Sequence, residues 1–216
     1  MNTFRIGLIF NGVWSQYAYA KATKYRDLYE LLYVHELDRA MLERVDALAI
    51  PFQSNHRAIA QRQDLIYDFL AAGKRIFVEG DSSAAWLKAS WEDRPVNNYW
   101  WVKDPHHPPL SETDDSHPIY RDLSARQSFW HYHGVYTRVP DHAWIVQRNV
   151  EGEVITWQTG HYGGSLLVTT LDPIVEHGVQ QITHLDHYCD RLTEWLIGVR
   201  PGGKFEILPE DYGVRV

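Results

Sequence analysis

The chain reads as an α/β protein built on a doubly wound, mostly parallel sheet. Three observations carry that reading. Near-continuous apolar runs at 4–10, 31–34, 47–50 and 76–78 suit strands buried on both faces. Stretches of helical spacing separate these runs, so strand and helix alternate from the start, which implies right-handed crossovers between parallel strands. The fourth run, Ile76 to Val78, ends at Glu79-Gly80 and turns at once into the small residues Asp81-Ser82-Ser83. Such a strand-to-helix elbow lifts one side chain above the carboxyl edge of a sheet, where α/β proteins place their ligands.

Taken in order, Phe4 to Phe10 forms the first strand and Asn11-Gly12 ends it. The tyrosine-rich stretch that follows predicts a helix from about Tyr17 to Tyr29, and Leu31 to Val34 a second strand. Asp38 is placed to cap a short helix through Val45, and strand three, Ala47 to Ile50, halts at Pro51. Ser54 is the expected cap of the next helix, with Ile59, Leu65, Ile66, Phe69 and Leu70 on one face and Gly73 as its stop. After strand four a brief helix is expected to end at Leu87. The texture then changes. Residues of about 90–120 form a loop-rich insertion with Pro95, Pro105, Pro108, Pro109 and Pro118 and the aromatic group Tyr99-Trp100-Trp101.

Beyond Phe129 strand patterns return. Trp130 to His133, Ala143 to Val146 and Glu153 to Trp157 predict added antiparallel strands, the last two joined at Glu151-Gly152. Ser165 to Thr170 is apolar enough for a central strand and ends at Leu171-Asp172-Pro173. Thr183 and Asp186 have capping-box spacing, and Ile182, Leu185, Cys189, Leu192 and Leu196 give a closing helix its apolar face. One domain over 1–200 and a tail over 201–216, with an edge strand at 204–208, complete the layout.

The totals bound the function. A net charge of -7 among 216 residues, with no basic stripe, argues against a nucleic-acid partner. No apolar run approaches the roughly 18 residues of a membrane span. The N-terminal residues lack the regions of a signal peptide, and a single cysteine, Cys189, allows no intramolecular disulfide, so a cytoplasmic location is expected.

Several phrases together resemble class I glutamine amidotransferase-like proteins, and among them the ThuA-like branch, over roughly Phe4 to Val199. They are Leu70 to Arg75 leading into the elbow, His117-Pro118-Ile119 with Leu123, His133 to Tyr136, and Gly163 to Pro173. The resemblance implies a flavodoxin-like sheet and a link to carbohydrate metabolism. Working amidotransferases of this family carry a cysteine in the elbow and a histidine after the late strand. Here Gly80-Asp81-Ser82 and Leu171-Asp172-Pro173 stand at those places, so glutaminase activity is not expected.

Candidate chemistry gathers at the carboxyl edge. Glu79 and Asp81 at the elbow, with Asp172 and Glu176 after the late strand, could divide acid and base roles or hold a cation; the competing reading is that Asp81 or Ser82 merely caps a helix. His131 and His133 alternate along one strand face and, with His161, offer a divalent-metal set. His177 stands beside Glu176. The catalytic candidates are therefore Glu79, Asp81, His133 and His177, and the ligand contacts Asn11, Trp14, Gln53, Ser82, Trp101, Tyr136, Asp172 and Glu176. The aromatics would suit a small polar, carbohydrate-like molecule. Three functions follow: a polar-ligand protein with or without catalysis, a non-catalytic assembly module in which the aromatic insertion makes a homodimer contact, or a metal-dependent hydrolase.

Overall fold

A computed structural model describes residues 4–22, 24–81, 85–180 and 182–198. Ser82 and the strand expected at 204–208 lie outside the described residues. Among those described, β1 (Ile6–Phe10), β2 (Tyr29–Tyr33), β3 (Ala47–Ile50), β4 (Arg75–Val78) and β10 (Ser165–Thr169) run parallel in the order β2-β1-β3-β4-β10. Beyond β10 the sheet turns antiparallel through β9 (Val154–Thr159), which pairs in turn with β7 (Gly134–Arg138) and β8 (Trp144–Asn149). The predicted fold class, parallel with added antiparallel strands, is the observed one.

Two-sided burial explains the apolar runs. Ile9, Leu48, Ile50, Ile76 and Val78 point into a core covered by α3 (His56–Ala60) and α4 (Gln63–Ala71). Ile6, Leu8, Ala47, Ala49 and Phe77 face the opposite way, onto residues of α1 (Trp14–Lys21) and α7 (Asp186–Ile197). A polar residue at any of these positions would leave a hydrogen-bonding group unsatisfied on one side or the other. Cys189 is buried in the second core, as its helical spacing implies.

Several boundaries differ from expectation. Helix α1 starts at Trp14 and ends at Lys21 rather than reaching Tyr29, because Tyr19 stacks on Tyr25, both meet Tyr29 edge-on in one buried aromatic group, and Tyr29 already belongs to β2. Asp38 does cap α2 (Arg39–Glu43), accepting the Met41 N–H at 2.8 Å. Asn55, not Ser54, caps α3 through the Ala58 N–H, and the long helix expected there breaks in two between Ala60 and Gln63. No side-chain capping bond joins Thr183 and Asp186; a single 3-10 turn, Thr183–Leu185, leads into α7 instead.

Two corrections bear on the site. The insertion is more ordered than a loop, with β5 (Ser90–Asp93), α5 (Trp100–Lys103) and β6 (Leu110–Thr113), and its Trp100 packs with Phe129, Trp130, Tyr132 and Leu171 into a third apolar cluster. Trp130 to His133 is not a strand. Only Tyr132 pairs, in one antiparallel bridge with Leu171, because β10 has ended and the chain enters α6 (Pro173–Gln180), a helix the sequence patterns did not reveal.

Candidate functional site

The carboxyl edge of the parallel strands gathers the ends of β1, β3, β4 and β10. Glu79, one residue past β4, is fully buried there. Its carboxylate accepts three backbone N–H groups: Phe52 at 3.2 Å, Ile174 at 3.0 Å and Val175 at 3.3 Å. It therefore ties the end of β3 to the first turn of α6, using donors that a helix start leaves free. Burial pushes its carboxyl well above the usual range; the Ile174 N–H opposes this and the Asp172 charge adds to it. Glu79 is a structural staple beneath the edge, and its oxygens face the protein's own backbone.

Above it, Asp172 precedes α6 and is 1% exposed. Its Oδ2 accepts from Nε2 of His133 at 3.0 Å, and the imidazole face stacks on Phe52, ring centres 4.3 Å apart. Phe52 is held in turn by Gly80, whose left-handed backbone (φ 80°) leaves no room for a Cβ: one would stand 2.3 Å from the Phe52 ring. The segment carrying both histidines is fixed from outside. The Asn98 side-chain amide clamps the backbone of Tyr132 from both sides, donating to its carbonyl at 3.0 Å and accepting its N–H at 3.1 Å. Thr170 Oγ1 accepts the Gly134 N–H and the Trp91 indole N–H, each at 3.2 Å.

His131, on the other side of Tyr132, also approaches Asp172. Donor atoms of His131, Asp172 and Glu176 lie within 4.8 Å of one another. Asp172 and Glu176 are four apart across the first turn of α6, which places them on one face. Burial lowers the His131 pKa, partly offset by the Asp172 charge, and raises that of Glu176, with Asp172 adding to the rise. Nε2 of His131 and Oδ1 of Asp172 are buried with no hydrogen-bond partner among the described residues.

The other sequence candidates are placed as follows. Asn11 and Gln53 meet at the edge, Asn11 Nδ2 donating to the Gln53 carbonyl at 3.1 Å, and Gln53 holds a left-handed φ of 63° that a non-glycine residue adopts only under constraint. Trp14 is 69% exposed at the start of α1 on the same edge and stacks on Tyr17. Trp101 stacks on Trp130, whose ring also stacks on His131. Asp81 is exposed. Three candidates are not brought to this group. His177 points back to Asp186, with which its Nε2 forms a hydrogen bond, and lies edge-on to Tyr19. His161 is exposed in the turn between β9 and β10, which sits at the amino edge, where Ser165 pairs with Arg75. Tyr136 is buried in the core against Trp157. Phe52 and Asn98, which position His133 and Tyr132, were not singled out in the sequence; their signals, the residue after a strand-ending Pro51 and an Asn inside an insertion, are too common to be read alone.

Neither a family model nor a curated protein matches this sequence. Solved structures do match in fold. A cytoplasmic protein from Salmonella typhimurium aligns with a TM-score of 0.55 at 12% identity, over 92% of this chain and 100% of that one. A protein from Bacteroides uniformis described as ThuA-like gives 0.55 at 14% identity, over 92% and 95%. Alpha-L-fucosidase isoenzyme 2 from Paenibacillus thiaminolyticus gives 0.56 at 12% identity, over 90% of this chain and 33% of the fucosidase, so the same fold is one part of a larger enzyme there. The chain thus shares the α/β fold of these proteins, a mostly parallel sheet with added antiparallel strands.

Proposed function

We propose that the carboxyl edge binds a small, hydroxyl-rich polar molecule of carbohydrate type, and that the pair His133 and Asp172 engages it there. The observation that carries this reading is the pair's own geometry: a carboxylate 1% exposed orients an imidazole 27% exposed, so the fixed partner is buried and the working one faces outward. A ring held on two sides, by Asp172 and by Phe52, presents its remaining nitrogen in one direction. The same sheet edge also carries exposed Trp14, a flat apolar face of the sort that sugars stack on, and the contact of Asn11 with the Gln53 carbonyl. Sugars head the ligand list because the fold also stands within a named fucosidase and in a ThuA-like protein; fold alone does not assign a reaction. Glutaminase chemistry is not part of the proposal, since the chain's single thiol, Cys189, is buried in a core and pushed up in pKa by that burial.

The test is calorimetric titration of chelator-treated protein with a panel of mono- and disaccharides, uronic acids and polyols. Binding by one class, weakened in His133→Ala and Trp14→Ala, is the expected result. A panel in which nothing binds, or binding untouched by both substitutions, sinks it.

A second reading rests on a different observation. Trp100 is buried inside the insertion's own cluster, while Tyr99 and Val102 beside it are exposed. That face suits self-association, and a homodimer in solution that Tyr99→Glu dissociates would favour an assembly role.

A further inference from the structure

We infer that His131, Asp172 and Glu176 form a binding site for one divalent transition-metal cation of the zinc, manganese or iron(II) kind. The inference shares Asp172 with the ligand-binding reading above and goes beyond it, since neither a sugar nor a proton transfer requires a cation. Four features converge.

The donor atoms of the three side chains lie within 4.8 Å of one another, a separation that a change of side-chain rotamer at half-buried Glu176 closes to bonding distance. Two of these side chains each carry an orphaned polar atom. Oδ1 of Asp172 and Nε2 of His131 are buried without a partner among the described residues, and Asp172 as a whole is 1% exposed. A buried, unpaired carboxylate oxygen is costly unless something positive meets it.

The local charge is also unbalanced. Asp172 and Glu176 stand side by side at one strand-to-helix junction, and among the described residues no Lys or Arg forms an ion pair with either; the one basic partner there is His133, on Asp172. A dication would supply the missing charge. Finally, the ligands are pre-set. Asp172 and Glu176 share a helix face at four-residue spacing, His133 holds the far oxygen of Asp172 at 3.0 Å as outer partners of metal-binding carboxylates do, and Asn98 fixes the backbone between the two histidines.

Donor chemistry selects the cation. One imidazole nitrogen with two carboxylates favours zinc, manganese or iron over magnesium and calcium, which take oxygen alone. Three protein ligands would leave coordination positions for water or for a bound hydroxyl, the arrangement of catalytic rather than structural sites.

The experiment uses the metal alone. Chelator-treated, desalted full-length protein is titrated with manganese(II), zinc(II) and magnesium(II), and the same is done for His131→Ala and Glu176→Gln, whose half-buried positions spare the core; His161→Ala serves as a control on an exposed histidine. One manganese or zinc per chain is expected, with affinity reduced at least about tenfold in each of the first two variants and unchanged in the control. Pulsed electron paramagnetic resonance of the manganese-loaded wild type should show a single imidazole nitrogen, which keeps the test intact if a variant folds poorly. Absence of binding, binding that survives both substitutions, or a manganese spectrum without nitrogen coupling overturns the site. Because no sugar is present, failure here leaves the ligand reading to its own titration, which is run with chelator, and failure there leaves this one standing.

Discussion

Nε2 of His133 and Oδ2 of Asp172 meet at 3.0 Å although 39 residues separate them in the chain. The bond binds the segment clamped by Asn98 to the start of α6. If His133 engages the ligand, His133→Ala should weaken binding by about tenfold, the worth of one well-made hydrogen bond. Affinity measured by titration checks this, and a variant that binds as tightly as wild type removes His133 from the site.

Glu79→Gln should act on stability. The amide keeps one acceptor oxygen but turns an NH2 group towards backbone N–H donors of Phe52, Ile174 or Val175. A loss of about 2–4 kcal/mol is expected in urea unfolding, the range for breaking a buried hydrogen-bond network. An unchanged midpoint would show that Glu79 is not the staple described.

Asn98→Ala removes both bonds that hold the Tyr132 backbone. The expected cost is about 1–2 kcal/mol of stability, with faster amide exchange at Tyr132. The more informative readout is ligand or metal affinity, which should fall although Asn98 touches neither, while an exposed change such as Asn97→Ala leaves it intact.

Acid sensitivity has an identifiable source away from this site. His56 accepts the Trp86 indole N–H on Nδ1 at 3.2 Å, and burial lowers its pKa to about 4, with the Asp81 charge opposing the shift. A histidine that stays neutral in the fold but takes a proton near pH 6.5 when unfolded stabilises the fold fully above pH 6.5. That contribution, about 3 kcal/mol, declines as pH falls from 6.5 towards 4 and changes no further below. Unfolding free energies of wild type and His56→Gln across this window should converge at the acid end; parallel curves would count against it.

Cys189 should be inert. With its thiol fully buried and raised in pKa, labelling by a thiol-directed disulfide reagent should proceed only as fast as the chain unfolds. Rapid labelling of the native protein would contradict the packing of α7.

The parallel half of the fold was legible because burial on both faces leaves a local imprint: Ile6 to Phe10, Ala47 to Ile50 and Ile76 to Val78 each read as strands without knowledge of their neighbours. Asp172 and Glu176 were legible for the same reason, as two carboxylates following a strand-like run. Helix α6, which follows Asp172 and carries Glu176, was not, since Pro173 and Gly178 argue against a helix in sequence; in the structure Pro173 takes a first-turn place that needs no N–H, and Gly178 lets α1 approach so closely that a Cβ would lie 2.6 Å from the Ser15 carbonyl. His131 and His133 alternate in sequence, yet no strand forms there, because what aligns them is Asn98 and a single bridge of Tyr132 to Leu171. His161 does not join His131 and His133, because β9 carries it to the opposite edge of the sheet.

The Glu79 staple has a consequence for how the molecule is made. It joins positions 95 residues apart, and the Asn98 clamp and the His133 bond close loops of 34 and 39 residues. Each closure costs chain entropy that is repaid only when the distant partner arrives. No short fragment of the chain therefore contains the site, and a polypeptide released before residue 176 is synthesised lacks one of its side chains. The site matures with the last third of the chain, which makes its formation a late event in folding and its loss an early sign of misassembly.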